Sequence, residues 1–331
     1  MHRFQGILML LLLTSVAHAT TRTVEPGGSI AACAAQSQAG DTCLVQPGTY
    51  QESNVNPPSG VTIKAAQPGT AILQPNDCEN GGWLVGDGRH DVVWDGMVCD
   101  GAGTGSCAIQ GNRTTPWCVA SENISARNTA HNNAWINGEI RNTRQSGLLI
   151  AGGQWTISNN WIHDLGARED PNAGFDGPHH HGCYCSVYDS TISNNRFSGI
   201  EGYNLQVFTS ADATVANDRI TGNTFEHSGL GTTFSGSGHT IADNMSVNDG
   251  GYYEPVAFII QSSDTTFEGN TVVGRQVSDQ SGGSLRMAHN TFCARECGSD
   301  TAALTTPARS TGAASVPSTA QVGQLRVLER P

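Results

Sequence analysis

From Val92 onward one short pattern recurs: an apolar residue, two small or polar ones, Asn or Gly, any residue, and a second apolar one. It reads Val93-Trp-Asp-Gly-Met-Val98, Ile136-Asn-Gly-Glu-Ile140, Ile157-Ser-Asn-Asn-Trp-Ile162 and Ile192-Ser-Asn-Asn-Arg-Phe197. It continues as Ile220-Thr-Gly-Asn-Thr-Phe225, Ile241-Ala-Asp-Asn-Met-Ser-Val247, Phe267-Glu-Gly-Asn-Thr-Val272 and Met287-Ala-His-Asn-Thr-Phe292. Asn160, Asn195, Asn223, Asn244, Asn270 and Asn290 fall 35, 28, 21, 26 and 20 residues apart. No 3.6-residue periodicity accompanies the repeat, and Gly and Asn are too frequent for helices. Short strands that bury their apolar residues only by stacking on the next unit are the signature of a solenoid. Asn at a recurring turn position tolerates the left-handed conformation, and its amide can bond the equivalent amide one coil away. At an inter-strand spacing of ~4.8 Å, roughly ten coils give a rod of ~50 Å.

Before the repeat, Ser29 is placed to cap a short helix through Ile30, Cys33 and Ala34. Strands are predicted at 42–46, Val61–Ala65 and Ala71–Gln74. Residues 1–19 read as a signal peptide: Arg3, an apolar stretch from Ile7 to Leu13, and the cleavage motif Ala17-His-Ala19. Residues 20–298 form the solenoid. Residues 299–331, rich in Ala, Ser, Thr and Pro without the repeat, are expected to be a flexible tail.

The opening Gly40-Asp-Thr-Cys-Leu-Val-Gln-Pro-Gly-Thr-Tyr50 and the repeated Ile-x-x-Asn-x-Phe units resemble the right-handed parallel β-helix proteins of the pectate-lyase-like superfamily. The resemblance implies an all-β fold, a single-stranded right-handed parallel β-helix with a short N-terminal capping helix. The superfamily includes polysaccharide lyases, inverting glycosidases, C5-epimerases, tailspikes and adhesins, so fold alone does not select an activity.

Composition narrows the partners. Asp and Glu number 29 against 17 Lys and Arg, a formal charge of −12, which argues against nucleic acid. No later segment is long and apolar enough to span a bilayer. A secreted monomer, extracellular or periplasmic, acting on an extracellular polysaccharide is expected. Ten cysteines fit an oxidising compartment. Local spacing suggests Cys33 with Cys43, Cys107 with Cys118, Cys293 with Cys297, and Cys78 with Cys99. Cys183 and Cys185 share one strand face and read as two buried thiols.

Candidate chemistry centres on Gly174-Phe-Asp-Gly-Pro-His-His-His-Gly-Cys-Tyr-Cys-Ser186, directly after the longest insertion. Alignment of the strands before each Asn unit gives an outward column of Leu149, Tyr184, Gln206, Thr233 and Ile259. A second column just before those strands contains Arg144, His181, Glu201 or Tyr203, Glu226 with His227, and Tyr253 with Glu254. The insertion adds Arg168 and Asp176.

The catalytic set is thus His179, His180, His181, Tyr184, Arg144 and Asp176, with Glu201, Tyr203, Gln206, His227 and Arg168 binding substrate. β-Elimination on a uronic-acid glycan needs the sugar carboxylate neutralised, by Arg144, Arg168 or a bound Ca²⁺. It also needs a base at C5, from His181, His180 or Tyr184. Asp176, Asp189 and Glu201 could orient a histidine or hold Ca²⁺. No other cofactor is implied.

Phe175-Asp-Gly-Pro-His179 is similar to the Phe-Asp-Pro-His segment of mannuronan C5-epimerases, with Gly177 inserted. Epimerisation and inverting hydrolysis are the alternative reactions. A non-catalytic glycan binder is the third reading, in which tryptophans 83, 94, 117, 135, 155 and 161 stack on sugar or pack the core.

Overall fold

The structure, a computed structural model, describes residues 18–76, 81–103, 118–121, 129–143, 146–166, 180–209, 215–250 and 256–294. Residues 1–17 of the expected signal peptide, residues 295–331 with the whole of the expected tail, and His179, Arg144, Arg168, Asp176, Tyr253 and Glu254 lie outside the described residues.

Among the described residues three parallel sheets of eleven, ten and eight strands run the length of a β-helix. Each full coil contributes one strand to each. In one coil these are Leu148–Gly153, Thr156–Ser158 and Trp161–Leu165, which belong to sheets C, A and B respectively. The repeat of the sequence is the A-turn-B half of a coil. Its two apolar positions are inward sites on adjacent sheets: Ile157 pairs with Ile192 in sheet A, and Ile162 with Phe197 in sheet B. The core is the stack of these side chains, fully buried from Ile63 to Phe267. One register differs from the reading of the sequence. In Met245–Val247 the alternation places Ser246 inward against Phe225, with Val247 outward. The rings of Phe225 and Phe258 lie 5.8 Å apart in the same core.

The Asn at each turn divides its two expected roles between neighbours. The left-handed residue is the one before it: Asn137, Asn159, Asn194, Asp243 and His289, with Gly96, Gly222 and Gly269 in other coils. The repeated Asn instead points inward and forms a buried ladder. Nδ2 of Asn195 donates to Oδ1 of Asn223 at 3.0 Å, and Nδ2 of Asn223 donates to Asn244 at 3.0 Å. Each also donates to a main-chain carbonyl of the preceding coil, as Asn223 does to Ile192. The ladder ends where Gly138 takes the Asn position, because the indole of Trp135 fills that space. Asn244 is therefore buried, and its Asn-Met-Ser sequon cannot carry a glycan.

At the N-terminal end Ser29 caps helix Ile30–Ala35 by accepting from Ala32 N at 2.9 Å, as expected. Cys33 and Cys43 are bonded. Cys99 is bonded to Cys118, so neither Cys107 with Cys118 nor Cys78 with Cys99 forms. Cys183 and Cys185 are a disulfide, not two thiols, since alternation brings both inward with Cα atoms 5.6 Å apart. Four tryptophans (83, 94, 135 and 155) are core residues.

Candidate functional site

The connections decide which face of the rod can hold a substrate. From Val93 onward sheets A and B are joined by two residues in every coil, so that corner is bare. Sheet C is different. Residues 101–118, 142–147 and 166–182 lead into it, and 122–133 and 208–218 leave it. Sheet C is thus the face with the longest connections, and loops on a rigid scaffold are where function concentrates.

The outward column on sheet C is the one the alternation predicts. Leu149 pairs with Tyr184, Tyr184 with Gln206, Gln206 with Thr233, and Thr233 with Ile259. Tyr184 stands between the two inward, bonded cysteines of strand Cys183–Tyr188. Gly182 must be glycine because a Cβ there would meet the carbonyl of Asn204 and the side chains of Ile200 and Phe197. That close approach lets the chain enter the strand with His180 and His181 on its rim.

His181 is buried, at 4% exposure. Its amide donates to Ser146 Oγ at 3.1 Å, and its carbonyl accepts from Gly147 at 2.9 Å. Nδ1 accepts from the amide of Tyr203 at 3.0 Å. In the neutral ring the hydrogen then sits on Nε2, which is a donor. The ring lies 5.7 Å from Tyr184 and 5.4 Å from Tyr203. His180 Nε2 is 3.8 Å from Glu201 Oε2, contributed by the next coil. Burial pushes the Tyr184 phenol above its ordinary value of 10, so it holds its proton at neutral pH. Gln206 Oε1, in the outward column of sheet C, is buried without a hydrogen-bond partner among the described residues.

The structure thus groups His180, His181, Tyr184, Glu201, Tyr203 and Gln206. His227 stands elsewhere. It is exposed, with φ of 53°, in the turn column that Asn142, Asp164, Gly199 and Asn248 occupy in other coils. Glu226 lies on sheet B, paired with Arg196 at 2.8 Å. Ser146 and Phe208 were not singled out by sequence. Phe208, 5.5 Å from Tyr184, is the next outward position after Gln206 and was accessible to the same alternation. Ser146 lies 35 residues from His181 and carries no local signal. Among the described residues no group of three or more His, Cys, Asp or Glu is arranged to hold a metal ion.

The chain folds as a right-handed parallel β-helix. The family model described as "Right handed beta helix region" matches residues 146–303. Among solved structures it is similar to pectate lyase Pel9A, at 15% identity over 85% of this chain and 78% of that one, with a TM-score of 0.55. It is similar to a polygalacturonase from Erwinia carotovora ssp. carotovora, at 13% identity over 86% and 93%, TM-score 0.55. It is also similar to the PL6 family alginate lyase AlyGC, at 15% identity over 83% of this chain and 39% of that one, TM-score 0.52. At these identities the likeness is one of fold. A search by sequence among curated proteins finds no match. Among the described residues no helix is long and apolar enough to cross a membrane.

Proposed function

We propose that this protein is a secreted polysaccharide-active enzyme that removes the C5 proton of a uronic-acid residue and eliminates the glycosidic oxygen at C4. The observation that carries the reading is the grouping of a carboxylate-paired histidine, a neutral histidine and a protonated phenol along the rim of one strand in sheet C. His180, paired with Glu201, is the base. As the C5–H bond breaks, its electrons form the C4=C5 double bond and the C4–O4 bond is released. Tyr184, whose proton burial retains, delivers that proton to O4. His181, fixed as an Nε2 donor, hydrogen-bonds the sugar carboxylate as charge builds on it. Arg144 and Arg168, in the connections that precede strands Leu148–Gly153 and Cys183–Tyr188 in sequence, are proposed to neutralise that carboxylate. Disulfides among the described residues fit action outside the cytoplasm.

Epimerisation shares the first step and returns a proton from the opposite face. Hydrolysis needs two carboxyl groups ~6.5–9.5 Å apart. Among the described residues Glu201 is the one carboxylate paired within this histidine–tyrosine set. The test is a panel of polyuronates, pectate, alginate and glycosaminoglycans, with and without Ca²⁺, followed by ultraviolet absorbance. A rise in absorbance from an unsaturated uronate supports elimination. Release of reducing ends without absorbance would replace it with hydrolysis.

A further inference from the structure

The outward face of sheet B, around one corner from the groove, carries a second set of side chains. Strand pairing places Glu139, Trp161, Arg196, Thr224 and Met245 in one column. Among the described residues the exposed large hydrophobic side chains are Trp161, at 43%, and Met245, at 44%. Both stand in this column, three coils apart. An isolated exposed apolar residue calls for no explanation, but both in one line on a rod this polar do.

Trp161 is also held still. Its ring lies on that of His163, with centroids 3.8 Å apart, and its Nε1 donates to Ser198 Oγ at 3.2 Å. His163 is fixed in turn by Asp164 at 2.7 Å and Glu139 at 3.1 Å. The Arg196 guanidinium sits 5.5 Å from the ring of Trp161 and is anchored on Glu226. An aromatic surface immobilised before binding loses little rotamer entropy when a ligand covers it. At its foot lies a depression of about 470 Å³, lined by Glu139, Asn159, Asn194 and Arg196. One end is closed by Pro68 and Gly69, from a longer A-to-B connection than the two-residue turns that follow it.

Charge selects the occupant. Arg141 is paired with Asp100 and Glu139, and Arg196 with Glu226. With Asp164 the carboxylates outnumber the arginines, and among the described residues no arginine of the patch is left over for an anionic sugar. What remains is an aromatic face for the C–H side of a ring, with amide and guanidinium donors and carboxylate acceptors beside it for hydroxyls.

We propose that sheet B carries a subsite for a neutral, hydroxyl-rich pyranose chain, centred on Trp161. It is separate from the groove on sheet C and stands whether or not the groove is catalytic. It would hold the protein on a glycan other than the acidic one proposed for the groove.

Isothermal titration of the full chain with cellohexaose, mannohexaose and hexagalacturonate tests this. The expected result is saturable binding of at least one neutral hexasaccharide, weakened roughly tenfold or more in Trp161→Ala, which corresponds to about 1.4 kcal/mol. Trp161→Phe keeps a ring and is expected to retain part of the affinity. Tyr184→Phe, in the groove, is expected to bind the neutral probes as the parent does. Thermal melts check that the Trp161 variants fold, which its exposure predicts. The proposal is overturned if neither neutral hexasaccharide binds at millimolar concentration. It is equally overturned if folded Trp161→Ala binds them unchanged, or if only hexagalacturonate gives a Trp161-dependent signal.

Discussion

The main-chain amide of Tyr203 donates to Nδ1 of His181 across 3.0 Å, joining two successive coils at the rim of the groove. A side chain used this way has two duties, since it satisfies a main-chain donor and sets which nitrogen carries the proton. The two can be separated. His181→Ala leaves the Tyr203 amide without its acceptor and is expected to cost about 1–3 kcal/mol of stability together with activity. His181→Asn places Oδ1 where Nδ1 stood, so thermal stability is expected to recover. Activity is expected to stay depressed roughly 10²-fold, because the Nε2 donor is gone. Full activity in His181→Asn would assign the residue a structural duty alone.

Tyr184→Phe removes the proposed acid and nothing inward of it. The phenol faces out from a strand whose neighbours Cys183 and Cys185 are buried and bonded. The turnover rate is expected to fall about 10²- to 10⁴-fold, with the melting temperature within error of the parent. A fall in stability without a fall in rate would place Tyr184 among the packing residues.

The asparagine ladder makes a separate prediction about the scaffold. Asn223 Oδ1 accepts from the amide and the side chain of Asn195, and its Nδ2 donates to Ile192 and Asn244. Asn223→Ala strands several buried polar groups at once and is expected to lower stability by about 3 kcal/mol, read by calorimetry. A loss below about 1 kcal/mol would mean that the ladder is replaceable.

A second interior chain of hydrogen bonds runs along the corner between sheets C and A. The amide of Ser190 donates to Asp218 Oδ1 at 2.9 Å, and the amide of Asp218 donates to His239 Nδ1 at 3.2 Å. Burial pushes the Asp218 carboxyl up to about 8 and lowers His239 below its ordinary 6.5. Unfolded Asp218 releases its proton near 3.8 and folded Asp218 near 8, so the folded state binds more protons in between and stability falls as pH rises. His239 acts oppositely below 6.5, where the unfolded ring takes up a proton that the folded ring resists. The two trends oppose each other just below 6.5, and above that Asp218 acts alone. Stability is expected to fall between pH 6.5 and 8 by roughly 1.4 kcal/mol per pH unit. Asp218→Asn is expected to remove this slope while keeping the acceptor for Ser190. Asn133 already occupies the equivalent position three coils earlier and accepts from Val92. An unchanged slope in that variant would assign it to other groups.

The sequence made the rod and the outward column on sheet C readable, because strands of period two between recurring Asn turns leave little choice of register. It separated Tyr184 from Cys183 and Cys185 for the same reason. It did not distinguish the left-handed turn residue from the ladder residue beside it, since both are often Asn and only the direction of the side chain differs. Asp218 with His239 was invisible, because each occupies a column whose other members include Asn133, Trp155, Ser190 and Thr265. Trp161 looked like any of the other tryptophans until the coils were stacked. Its partners Arg196 and Ser198 come from the next coil, on the far side of the longest insertion.

The central claim is that this groove removes a proton from C5 of a uronate. Proton NMR of a polyuronate panel incubated with the protein in D₂O tests it directly. The account predicts, for at least one polymer, a new vinylic H4 signal from elimination, with both the signal and the loss of substrate abolished in Tyr184→Phe. Replacement of the C5 hydrogen by deuterium without chain cleavage would keep the proton abstraction and change the outcome to epimerisation. New reducing-end signals with C5–H intact in every product, or no change across the whole panel, would contradict the account.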